Sequence, residues 1–171
     1  MSSPILTPTS AMVLGFLRAA GPSTPYDLKQ MHAVSVGHFW SLPHSQLYAE
    51  PERLAKAGLV GEEREEAGRR RRRFTITAAG EAALDAWLAD ADAPSPELRD
   101  VALIKLFFGA DPHAIAERRL AYHEQLLQTY EGLHADLSQA KDAPRGPIST
   151  LEAGIRHERG MLAYWRELLQ R

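Results

Sequence analysis

Apolar residues recur at steps of three and four from Thr9 to Ala20, where Met12, Val13, Phe16 and Leu17 share a face. This spacing predicts a helix, which Gly21-Pro22 ends. Thr24-Pro25 then supplies a cap and a proline at the first helical position, opening a short second helix with Tyr26, Leu28 and Met31. A loop with Gly37 and Trp40 follows, and Pro43 opens a third helix running towards Gly58, where a left-handed C-terminal cap belongs. From Gly58 to Thr77 the order is a helix stop, a strand, a tight turn, a second strand and a helix cap. Thr77 begins a fourth helix with Ala82, Leu84, Trp87 and Leu88, in which Trp87 is expected to be a packing residue tying the helix to the domain that carries the hairpin.

Residues 90–96, with two prolines among small polar residues, break the periodicity and read as a linker. Ser95-Pro96 is expected to start a fifth helix ending at Gly109 and carrying Leu103, Ile104, Leu106, Phe107 and Phe108. Asp111-Pro112 caps a much longer helix to about Lys141, with the stripe Ile115, Tyr122, Leu126, Tyr130, Leu133 and Leu137. Asp142 to Pro147 is a turn. A last helix from about Ser149 places Leu151, Ile155, Leu162, Trp165 and Leu169 close to a heptad seam.

The pattern is therefore mainly α with a small β-hairpin. Residues 1–90 read as an N-terminal winged helix-turn-helix, and residues 91–171 as a long-helix dimerisation region. Long amphipathic helices need a partner for their apolar faces. A homodimer also supplies the two recognition helices and two wings that a two-fold symmetric operator requires.

Charge sharpens this picture. Five consecutive arginines, Arg69 to Arg73, lie on the return strand of the hairpin, and guanidinium donors match phosphate oxygens bidentately. A two-residue turn at Ala67-Gly68 would pair Glu66 with Arg69, Glu65 with Arg70, Glu63 with Arg72 and Glu62 with Arg73, leaving Arg64 opposite Arg71. Such pairs contribute only about 0.2–1 kcal/mol each, and leave some guanidinium donors free for phosphate. On the third helix, Leu47 and Leu54 face inward with Leu59 just beyond, so His44, Ser45, Gln46 and Tyr48 hold open positions at its start. These are the positions from which recognition helices read base edges. Pro51 removes a backbone hydrogen bond, so this helix is expected to kink near residues 47–51 or to restart there.

Composition narrows the class. The net charge of −2 means that any nucleic-acid affinity comes from a local patch. Absence of cysteine excludes disulfides and thiolate metal sites and fits the cytoplasm. No apolar run approaches the length of a membrane span, and no signal peptide is expected. The histidines show no metal spacing: His123 and His134 stand three helical turns apart. No phosphate loop or nucleophile elbow is present. Glu117, Glu124 and Glu131 recur on one helix face, but such a stripe is ordinarily solvated. We expect no enzyme activity, no cofactor and no metal.

Leu14-Gly15-Phe16-Leu17, Tyr26-Asp27-Leu28, Trp40 ahead of Ser45-Gln46-Leu47-Tyr48, Leu54 and Gly58-Leu59-Val60 together resemble the PadR family of transcriptional regulators. Arg73-Phe74-Thr75-Ile76-Thr77, leading through Gly80 to Trp87-Leu88, and Lys105-Leu106-Phe107-Phe108-Gly109 extend the resemblance over essentially the whole chain. It implies a cytoplasmic, dimeric winged-helix repressor on double-stranded operator DNA, with its third helix in the major groove and its wing on the backbone or minor groove. The matching reader positions are Ser45, Gln46 and Tyr48, with the wing at Arg69, Arg70, Arg71, Arg72 and Arg73. Pro51 departs from the apolar helix former more usual there, and the first wing strand is unusually acidic.

Release by a small aromatic effector is a further implication of the resemblance. Flat apolar walls with a few polar groups suit such a ligand, and Trp40, Tyr122, Tyr130, Tyr164 and Trp165 offer them by composition. The alternative is a winged-helix protein-interaction module that no longer reads DNA and uses the hairpin as a charged docking edge.

Overall fold

The protein is described by a computed structural model covering residues 6–64 and 71–171. It divides into two compact units, Met1–Pro94 and Ser95–Arg171. Among the described residues the fold is mainly α, with one antiparallel pair of strands.

In the first unit, α1 (Pro8–Ala20) and α2 (Pro25–Ala33) each open on a reciprocal capping box, Thr7 with Ser10 and Thr24 with Asp27. Each also has proline in its first turn, where a missing N–H costs nothing. Val13, Leu14 and Leu17 of α1 meet Leu28 of α2 and Leu47 and Leu54 of α3 (His44–Lys56) in one core. Helix α3 neither stops nor restarts at Pro51. It runs continuously from His44 to Lys56, with the proline ring buried among the core residues. Burial of the ring beside Leu47 and Leu54 offsets the lost backbone hydrogen bond. Gly58, at φ 75°, provides the left-handed exit into the hairpin.

Strands β1 (Val60–Arg64) and β2 (Arg72–Ile76) pair with Val60 opposite Ile76, Glu62 opposite Phe74, Glu63 opposite Arg73 and Arg64 opposite Arg72. This corrects the expected register by one residue: Glu62 does not oppose Arg73, nor Glu63 Arg72, nor Arg64 Arg71. The cause is the core. Val60 and Phe74 are both buried and must share a face, so Phe74 must stand opposite a residue on Val60's side of β1, which is Glu62 and not Gly61. The expected pairs Glu66–Arg69 and Glu65–Arg70, and the turn at Ala67-Gly68, lie outside the described residues. The other edge of β2 is used too, since Phe74 exchanges backbone hydrogen bonds with Ser23 at 2.9 and 3.0 Å.

Helix α4 (Ala78–Ala89) is capped by the Thr77 hydroxyl, which accepts from the Gly80 N–H. Leu84 is its buried anchor. Trp87, expected to do that work, is 42% exposed and is corrected to a surface residue. Arg18 of α1 holds the other flank of α4 through Glu81 and Asp85, at 2.5 and 2.7 Å.

In the second unit, α5 (Val101–Phe107) starts at Asp100 and not at Ser95-Pro96. The Asp100 carboxylate accepts from the Ala102 N–H at 2.8 Å and from Arg119 of α6 (Pro112–Ser138) at 2.5 Å, which anchors the helix start there. Helix α7 (Arg145–Leu169) begins before Ser149 because Pro147 falls in its first turn, where proline is tolerated.

Helices α6 and α7 form an antiparallel hairpin, as Glu124–Arg166, Glu131–Arg159 and Tyr130 over Gly154 show. The buried seam of α6 is Ala116, His123 and Tyr130, facing Ile155, Glu158, Leu162 and Trp165. Of the expected α6 stripe, Tyr130 is buried and Ile115, Leu126, Leu133 and Leu137 are half-buried, but Tyr122 is exposed and its neighbour His123 takes the inner place. His123 goes in because its Nδ1 meets the Glu158 carboxylate at 2.5 Å. The glutamates at 124 and 131 serve as exposed rungs between the two helices.

Candidate nucleic-acid interface and effector cluster

The apolar face of α3 is fully committed to the core, which leaves its first turn outward. His44, Ser45, Gln46 and Tyr48 are all exposed, grouped on the N-terminal end of a helix held on both flanks. On one flank the buried Ser10 hydroxyl donates to Glu50 at 2.6 Å and accepts from Arg53 at 2.7 Å, with Arg53 on Glu50 at 2.6 Å. Burial alone would raise the Glu50 carboxyl; the Arg53 and Ser10 hydrogen bonds outweigh it and hold the group below its usual range. On the other flank Glu52 reaches the wing residue Arg72.

The wing arginines separate into different environments. Arg69 and Arg70 lie outside the described residues. Arg71 and Arg73 are exposed, on the side of the N-terminus of α2. Asp27 there is held below its usual range by the Thr24 backbone and hydroxyl hydrogen bonds, with smaller contributions from the fields of Arg73 and Arg71. Arg72 is different. Its Nε and Nη2 grip Glu62 at 2.7 and 2.8 Å, its Nη1 donates to Glu52, and its guanidinium lies 5.3 Å from the centre of the buried Phe74 ring. Glu62 also accepts from Arg64 at 2.9 Å. The Arg72 and Arg64 hydrogen bonds drive the Glu62 carboxyl from 4.5 to about 2. Neither Glu52 nor the Glu62–Arg72 pair was anticipated. The glutamate's core-facing partner is legible only once Val60 and Phe74 are required to share a face.

Of the aromatic candidates, Trp40 is in the first unit, half-exposed in the loop before α3, its carbonyl 2.9 Å from His32 Nε2. Tyr122, Tyr164 and Trp165 are in the second. Tyr164 packs edge-on against Trp165 at 4.9 Å, and Tyr122 against His123 at 5.1 Å. The Arg119 guanidinium lies 5.0 Å from the Tyr122 ring centre and 5.9 Å from that of Trp165. Burial raises the Tyr130 hydroxyl above its usual range, with the field of Glu158 adding to it. Three buried polar atoms in this cluster have no hydrogen-bond partner among the described residues: Arg119 Nε, His123 Nε2 and Trp165 Nε1. Arg119 also lines an open cleft of about 420 Å³ with Asp100, Val101, Lys105, Ile115 and Arg118. The sequence offered Tyr122 and Trp165 as aromatic walls but gave no sign of Arg119 between them.

Residues 13–86 match the profile of the transcriptional regulator PadR-like family, and residues 98–171 that of the virulence activator alpha C-term family. The chain is 31% identical over 99 residues to the negative transcriptional regulator PadR of Bacillus subtilis (strain 168), covering 56% of this chain and 53% of that protein. The match thus spans about half of that relative's length. The crystal structure of Bacillus subtilis PadR in complex with operator DNA superposes with a TM-score of 0.80 at 22% identity, over 94% of this chain and 96% of that one. The same regulator in complex with p-coumaric acid superposes with a TM-score of 0.73 at 21% identity, over 96% and 97%. These structures share the fold along nearly the full chain. Residues 13–86, from α1 to α4, thus belong to the transcriptional regulator PadR-like family.

Proposed function

We propose that the protein is a homodimeric repressor that binds double-stranded operator DNA and releases it on taking up a small aromatic acid. The observation that carries the DNA reading is the division of α3: Leu47, Pro51 and Leu54 are buried, while His44, Ser45, Gln46 and Tyr48 project from its first turn. Serine and glutamine present the donors and acceptors needed on major-groove base edges, glutamine favouring adenine. Arg71 and Arg73, with Arg69 and Arg70 of the same run, supply phosphate or minor-groove contacts. The negative regulation named for the Bacillus subtilis relative, and the operator DNA named for its structure, point the same way.

Dimerisation rests on α5 and its C-terminal cap, which expose Val101, Ile104, Phe107 and Phe108, the last two at 83% and 79%. A second copy covering this face also supplies the second half-site reader. The effector reading rests on Arg119, Tyr122, His123 and Trp165. Unpartnered Nε–H and indole N–H donors beside aromatic faces suit a carboxylate carried on an aromatic ring. p-Coumaric acid, named in the Bacillus subtilis complex, is an acid of this class.

Selection of duplexes from a random-sequence pool at low salt tests the assignment. A two-fold symmetric motif, lost in Gln46→Ala, is the expected result. An unenriched pool would sink DNA reading and favour the protein-docking alternative. p-Coumaric acid titrated into the protein–DNA complex tests the effector. Release by wild type and none by Arg119→Gln is expected; equal release by both removes the cluster from the site.

A further inference from the structure

Arg72 stands in the middle of a run whose obvious use is phosphate binding, yet its guanidinium is turned away from that use. Three of its five N–H donors are committed, one at Nε, one at Nη1 and one at Nη2. The edge formed by Nε and Nη2, which would grip a phosphate bidentately, is occupied by Glu62. The face of the group rests on Phe74, a core residue, so the side chain is fixed in orientation as well as in charge. Its side chain is 31% exposed. Two acids, Glu52 and Glu62, balance two bases, Arg64 and Arg72, so this cluster contributes no net charge to the DNA-facing field.

The partners come from separate elements. Glu62 is on β1, Arg72 on β2, and Glu52 is on α3, one turn past the exposed reader Tyr48. A guanidinium held by all three elements ties the angle of the wing to the axis of the recognition helix. Helix and wing must reach DNA in a fixed mutual register, and a small misplacement of a binding group loses much of its benefit.

We propose that Glu52, Arg72 and Glu62 form a strap fixing the wing on the recognition helix, with Arg72 a positioning residue and not a phosphate ligand. This rests on the DNA-binding reading above. The strap raises the preference for operator over random DNA, because it holds the wing where only the correctly read site brings both elements to the backbone. Sequestering one arginine from the run also removes a contact that would strengthen binding to every sequence equally.

The test compares Arg72→Gln, Arg72→Lys and Glu52→Gln with wild type on two probes over a range of salt. The probes are a duplex enriched from random sequence by the wild-type protein and a scrambled duplex of the same composition. A strap predicts that all three variants lose about tenfold on the enriched duplex and little on the scrambled one. The slope of log affinity against log salt stays as in wild type for all three, since no phosphate contact is lost. A phosphate ligand predicts a different pattern. Arg72→Gln would then lower the slope by about 0.9 on both probes, Arg72→Lys would bind almost as wild type, and Glu52→Gln would bind more tightly. Either that pattern or wild-type discrimination in Glu52→Gln and Arg72→Lys overturns the proposal. Far-UV circular dichroism checks folding, and the two conservative variants decide the matter if Arg72→Gln does not fold. Failure of the wild-type protein to enrich any duplex is a separate outcome, which removes the DNA reading and the strap with it.

Discussion

The His123–Glu158 pair makes the second unit depend on a polar contact at the centre of its seam. Both side chains are almost fully buried, the imidazole Nδ1 lies 2.5 Å from the carboxylate, and Nε2 has no partner among the described residues. Glu158→Ala therefore strands an imidazole already lacking one partner. Each buried polar group left unsatisfied costs about 1–3 kcal/mol, and breaking a buried pair by removing one member costs about 3–5 kcal/mol. We expect the variant to fall in that upper range. Replacing both members with apolar residues of similar size, His123→Leu with Glu158→Met, removes the stranded group. That double variant should lie within about 1 kcal/mol of wild type or exceed it, since buried pairs are often weaker than the apolar packing that replaces them. The reporter is built in. Trp165 is fully buried on the same face of α7, so urea unfolding followed by its fluorescence in a Trp40→Phe, Trp87→Phe background reads this unit alone. Protein concentration is held constant so that any self-association contributes equally to every variant. A Glu158→Ala loss under about 1 kcal/mol, or a double variant as unstable as the single one, would refute the reasoning.

Gly80→Ala places a Cβ 2.1 Å from the Leu59 carbonyl oxygen, which accepts the Thr77 N–H, so α4 must lift off the hairpin; we expect a loss of at least about 1–3 kcal/mol in thermal or urea melts. Leu54→Ala opens the fully buried centre of the first core and should cost about 2–5 kcal/mol by the same melts. Arg71→Gln and Arg73→Gln should each lower the salt slope of DNA binding by about 0.9, on random and selected sequence alike. The Glu62 carboxyl is depressed to about 2 from 4.5, so its stabilising contribution is complete above 4.5 and is lost as pH falls through about 2. NMR titration of its side-chain carboxyl carbon checks this, and an ordinary midpoint near 4.5 would contradict it.

Much of the fold could be read from local chemistry. Thr24 and Thr77 cap the helices they precede, Gly58 has the positive φ its place required, and Leu47 and Leu54 are buried as helical spacing demanded. The departures arise where a long-range contact outweighs a local signal. Ser95-Pro96 is a good local helix start, but Asp100 both caps α5 and binds Arg119, which lies on a helix still to come. Trp87 is a large apolar residue at helical spacing, yet the face of α4 towards the core is occupied by Gly80 and Leu84. His123 and Glu158 are polar by type and each was left outside its stripe. Only their pairing, 35 residues apart in sequence, lets both enter the seam. The exposure of His44, Ser45, Gln46 and Tyr48 on α3 was legible because it follows from the apolar face alone. The wing was not, because a shift of one residue in register exchanges every partner.

That shift alters the meaning of the arginine run. In the expected register the arginines and glutamates form a ladder of similar, weak cross-strand pairs, each arginine retaining spare donors for DNA. In the observed register Arg72 shares the core-facing side with Glu62 and Phe74, whereas Arg73 lies on the opposite face with Glu63. Alternation along a strand thus gives adjacent arginines different physical roles: one ties the hairpin to α3, and its neighbours contribute to the outward field. A chain of net charge −2 can still direct a local positive field at DNA, because acids that neutralise the strap do so on the inner face of the wing. Five arginines in sequence therefore do not amount to five released counterions. The salt slope should count those on the outward face, and specificity should depend on the one that is not counted.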